Sequence, residues 1–166
     1  MRLNTILGLF FTLLVAVSAE ATARVPFVSQ DRAADIFETL KGQNDVVYGE
    51  ILAIAAMGHG SNEEEEVKAA EAITGSVGVF INDAQVIRGA AGSYALMQCA
   101  ADRREAAEFL KLTLDLDRSQ MNYALNTVNQ ALGNLRQPAW LSELQKLRDA
   151  MRAVLDSVKS LSANVG

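Results

Sequence analysis

The chain has 166 residues, 50% hydrophobic and 21% charged, with a formal net charge of −5. An acidic balance without a dense basic cluster excludes nucleic acid and an anionic membrane surface as natural partners. A single cysteine, Cys99, excludes an internal disulfide framework, so the fold must stand on an apolar core.

Met1 and Arg2 give a charged start, Ile6–Val17 is an apolar run, and "SAEATA" (18–23) sets alanines at Ala19-x-Ala21 and Ala21-x-Ala23. This is the layout of a secretory signal peptide. The run is shorter than the roughly 20 apolar residues of a membrane span. The expectation is a signal peptide over residues 1–23, a mature chain beginning at Thr22 or Arg24, and a secreted location, a bacterial periplasm. Residues 24–166 then make one domain, a length that buries enough surface for a self-sufficient core. The charge is uneven: residues 24–101 hold 5 basic and 11 acidic groups, residues 102–166 hold 9 and 8.

The two prolines, Pro26 and Pro138, both sit at boundaries, and an interior free of proline favours long helices. The first helical region is 29–58, with an interruption expected at "KGQND", Lys41–Asp45.

The next stretch, "MGHGSNEEEEVK" (57–68), sets the only histidine, His59, beside Glu63–Glu66. Gly58 or Gly60 suits a helix end in the left-handed conformation. Ser61 with Glu64, or Asn62 with Glu65, makes a capping box. Glutamates in a first turn gain about 0.3–1 kcal/mol each from the helix dipole, more than their mutual repulsion costs. The stretch reads as a helix junction, not as a metal centre: four adjacent glutamates point around a helix, and the chain has one histidine and one cysteine to offer a transition metal.

Region 62–91 carries Ala69, Ile73, Val77, Phe80, Ala84, Ile87 and Ala91 on one helical face. A hairpin over 75–92, turning at Asn82-Asp83, is the competing reading because Gly75, Gly78, Gly89 and Gly92 weaken a helix. A lone hairpin with no sheet to join is marginal, so helix is expected.

Region 93–133 has two apolar stripes: Ala107, Leu110, Leu114, Met121, Leu125, Val128 and Leu132, then Phe109, Leu112, Leu116 and Tyr123. Two stripes imply two neighbours. The helix is expected to start at Ser93, with a break near Asp102, because Arg103 and Arg104 suit a first turn poorly.

The last region, 138–164, is the clearest. Trp140, Leu144, Leu147, Met151, Val154, Val158, Leu161 and Val165 keep an alternating 4,3 spacing, the seam of a helix lying along others. Leu141 and Leu155 widen it, and Glu143, Lys146, Asp149, Arg152, Asp156 and Lys159 form the solvated face. Pro138 fits the first turn. Four long helices with short links make an all-α antiparallel bundle.

No residue set supports a catalytic site. Cys99, among Ala95, Leu96 and Ala100, is expected to be a buried, inert thiol. "DLDRS" (115–119) lacks the glycine and glutamate of a calcium loop, with Gln120 and Asn126 in their places. "GHGS" and "GAAGS" match no phosphate-binding motif. The expectation is therefore an exported, non-catalytic bundle that binds another protein, or itself, through helix faces. It carries no metal, cofactor or catalytic residue. The competing expectation is a bundle that holds a small ligand, or a haem ligated by His59 and a methionine.

Overall fold

A computed structural model describes residues 28–162. The expected leader, its cleavage site and Val165 lie outside these residues. Four helices follow one another: α1 (Gln30–Gly60), α2 (Glu64–Leu96), α3 (Ala100–Asn134) and α4 (Pro138–Ser162). There is no strand among the described residues. α1 packs on α2 and α4, and α3 packs on the same two helices; across the diagonals α2 meets α4 only lightly.

The ends of the bundle show its antiparallel order. The α1–α2 and α3–α4 junctions lie together, where Gly60, Ser61 and Glu66 share a depression with Gln137 and Trp140. At the far end, the Tyr94 hydroxyl donates to the Val28 carbonyl at 2.8 Å. The Gln30 amide lies 3.1, 3.2 and 2.6 Å from the carbonyls of Tyr94, Ala95 and Met97. A side chain from the first turn of α1 thus serves the open carbonyls of α2, which a helix end leaves without intrahelical partners.

The α4 seam becomes core as its spacing demands. Trp140, Leu144, Leu147, Met151, Val154, Leu155, Val158 and Leu161 are all buried. Removing side chains of this size from water contributes about 1.5–3 kcal/mol each. Facing them are Ile36, Leu40, Ile54, Ile73, Phe80, Leu110 and Met121, so one continuous core joins all four helices.

Four local expectations are corrected. α1 runs unbroken through Lys41–Asp45, because Gly42 faces open space and Asn44 is buried, its amide donating to the Ile81 carbonyl at 3.3 Å. Packing against α2 outweighs a propensity cost of about 1 kcal/mol. α2 runs through 75–92 as the expected helix, with no hairpin, but ends at Leu96 rather than at 91. Gly75, Gly78 and Gly89 face open space, and the buried face of Ile73, Val77, Phe80, Ala84 and Ile87 holds the helix together.

α3 starts at Ala100 rather than at Ser93, close to the break expected near Asp102. Arg103 does sit in its first turn, but its guanidinium reaches back to the Met97 and Gln98 carbonyls at 3.3 and 2.9 Å. There it meets the negative end of α2 rather than the positive end of α3, which removes the electrostatic objection. Finally, Cys99 is exposed, not buried. It takes the cap position of α3 outside the packed faces.

Candidate functional site

At the 57–68 junction, α1 ends at Gly60 and the chain turns through Ser61 in extended conformation, with no glycine in the left-handed region among the described residues. Ser61 Oγ accepts from the Glu63 amide at 3.1 Å and donates to Glu66 Oε2 at 2.5 Å. The cap therefore joins Ser61 to Glu66, two residues beyond the expected partner Glu64. Glu63 takes the N-cap, and the amides of Glu66 and Val67 donate to its carbonyl. Glu63, Glu64 and Glu65 point into solvent while Glu66 is buried, so the run fans around the helix. Among the described residues no three His, Cys, Asp or Glu side chains converge to hold a metal. His59 is exposed and borders a groove of about 270 Å³ with Ala55, Gly58, Val67, Ala70, Glu71 and Thr74. No methionine lines that groove, so the haem-ligand pair of the competing expectation does not assemble there.

Two features take on a character that the sequence reading did not give them. The first is Asp83, buried to 5% exposure, with Oδ2 lacking any hydrogen-bond partner. Burial, with the Asp117 carboxylate on α3 acting the same way, pushes its pKa up to about 6. Burial also raises the pKa of Asp117 itself. The two acids repel each other across the α2–α3 seam, and protonation of Asp83 relieves that repulsion and its desolvation together. The hairpin reading set Asp83 in a solvent-facing turn. The usable signal was its place three residues past Phe80, at the edge of the apolar face.

The second feature is the outer stripe of α3. Phe109, Leu112, Leu116 and Tyr123 are 55, 57, 58 and 72% exposed. α3 does pack on two neighbours, as expected, but these four side chains stay largely exposed instead of being buried against either. Tyr123 lines a groove of about 460 Å³ between α2 and α3, with Gly75, Ser76, Val79, Ser119 and Ala124. Val79 and Val86 on α2 are also exposed, and a spacing of seven puts them on one face. The Ser76 and Thr127 hydroxyls, 3.4 Å apart, tie the two helices beside this groove.

Charge is missing around the groove, although Phe109, Leu112 and Leu116 lie among Glu108, Lys111, Asp115 and Arg118. Residues 72–82 on α2 and 119–134 on α3 contain no Asp, Glu, Lys or Arg, and the groove sets these two stretches side by side. No described helix is long and apolar enough to cross a membrane. No known protein family, curated protein or solved structure matches the chain.

Proposed function

We propose that this chain is an exported, non-catalytic helical bundle that acts by binding protein through the outer face of α2 and α3. The observation that carries the reading is the stripe Phe109, Leu112, Leu116 and Tyr123, exposed on a helix whose other stripe already supplies the core. Val79 and Tyr123 line a groove without charge, and Phe109, Leu112, Leu116 and Val86 are further exposed apolar side chains on the same two helices. A surface of that kind is stabilised by leaving water, and a helix face is the natural occupant of a groove between two helices. The export part rests on the charged start, apolar run and alanine spacing of residues 1–23. The periplasm is the compartment that such a leader and a lone cysteine suit.

The test is site-specific photo-crosslinking in the native host. A photoreactive residue at Leu112 should give discrete protein adducts, and one at Arg152, exposed on α4, should give none. Equal yields at both positions, or none at Leu112, would defeat the reading.

A further inference from the structure

We propose that Asp83 makes the α2–α3 seam a pH-sensitive latch, closed while its carboxyl is neutral and opening locally beside the groove once it is charged. The latch belongs to the fold itself, whatever the outer face binds.

Asp83 is 5% exposed, and its Oδ2 has no hydrogen-bond partner. A buried carboxylate in that state lacks the donors its charge requires, so it either stays neutral or reaches water. Solvent is close. Asp83 lies four residues past Val79 and Asp117 two residues before Ser119, and both Val79 and Ser119 line the groove of about 460 Å³. At about 1.5 Å per residue, both acids sit within one turn of that opening. The tie across the seam is slight here: the Ser76 and Thr127 hydroxyls, 3.4 Å apart. Gly75 and Gly78 face open space on the same stretch of α2, and each weakens the helix. Val77, Phe80 and Met121 are fully buried underneath, which confines the opening to the outer rim of the seam. Weakly held segments of this kind open without global unfolding.

No neighbouring cation neutralises Asp83. From α3 it meets Asp117, half-buried, whose charge adds repulsion. Lys111 and Arg118 on the same helix are exposed, and Asp83 joins no ion pair among the described residues. On α2 itself, Arg88 is engaged with α1, stacked over the Phe37 ring and bonded to the Phe37 carbonyl at 3.1 Å. At this level α1 presents Asn44, uncharged, with its amide on the Ile81 carbonyl. α4 touches α2 only lightly and supplies no charge that acts on Asp83. The carboxyl therefore loses its charge only by taking up a proton, which it holds up to about pH 6 rather than the ordinary 3.8. An opened, solvated Asp83 titrates near the ordinary value. Opening thus grows from pH 3.8 to about 6 and levels off above it.

The experiment is amide hydrogen exchange of the full chain, read by mass spectrometry, in wild type and Asp83→Asn at matched pH. Matching the pH cancels the intrinsic exchange rate. From about pH 4.5 to about pH 7.5, exchange over 75–84 and 117–127 should rise about thirtyfold in wild type relative to the variant. That exchange should be insensitive to urea up to about 1 M, whereas α4 amides near Leu147 should accelerate with urea, as global unfolding does. Asp117→Asn removes the repulsion, so its rise should be smaller and level off at lower pH. The same variant, set against wild type, carries the test should Asp83→Asn fail to fold. A ratio of wild type to Asp83→Asn that stays flat across this range overturns the proposal. So does a urea dependence over 75–84 equal to that of α4, or an Asp117→Asn curve identical to wild type.

Discussion

Asp83 enters the α2–α3 seam with one carboxylate oxygen unpartnered, so its protonation state and the stability of the fold are linked. Its folded pKa of about 6 lies above the ordinary 3.8, which means the folded chain holds this proton more tightly than the unfolded one. The stabilisation is fully present below pH 3.8 and is lost as pH rises through about 6. A shift of this size corresponds to about 3 kcal/mol. Asp83→Asn keeps the shape and removes the charge. Its stability relative to wild type should therefore rise between pH 4 and pH 7.5 by up to about 3 kcal/mol, read from urea denaturation at both pH values. Parallel wild-type and mutant profiles would show that Asp83 does not titrate in this range. His59, the most conspicuous residue in the sequence, is by contrast an exposed helix-end side chain, and its neighbours are explained by capping alone.

At the scale of elements, two glycines mark where α1 and α2 come closest. A Cβ on Gly58 would lie 2.3 Å from the Ala70 Cβ, and one on Gly92 would lie 2.8 Å from the Phe37 ring. The Phe37 ring can move; a methyl group fixed to the backbone of α2 cannot. Gly58→Ala should therefore destabilise by about 1–3 kcal/mol through overpacking. Gly89→Ala, facing open space in the same helix pair, should stabilise by up to about 1 kcal/mol. Thermal unfolding of the two variants checks this, and a loss at both positions would contradict the close approach. The α4 helix was legible because its apolar spacing is regular and Pro138 fixes its start. The ends of α2 and α3 were not, because the residues that decide them are distant in sequence. Gln30 serves the last carbonyls of α2, and Arg103 bonds the connection behind it. Local propensity also misjudged "KGQND", where the burial of Asn44 against α2 decides the outcome.

At the scale of the whole molecule, the bundle architecture was written in the spacing of apolar residues, but the exposed face of α3 was only half written. Both stripes of α3 were visible, and periodicity cannot say which of two stripes a fold will bury. With α2 and α4 both packed against the inner stripe, no described helix remains to cover the outer one. The central claim is therefore a division of α3 into a face that folds the chain and a face that remains free to bind. Leu110 is fully buried and Leu112, two residues on, is 57% exposed, so this pair divides the two roles. The direct measurement is equilibrium urea denaturation of Leu110→Ala and Leu112→Ala, at protein concentrations low enough that association contributes nothing. Leu110→Ala should lose about 2–5 kcal/mol, and Leu112→Ala should stay within about 0.5 kcal/mol of wild type. Comparable losses in both would mean that the outer stripe is consumed in folding, and the surface proposed to bind would not exist.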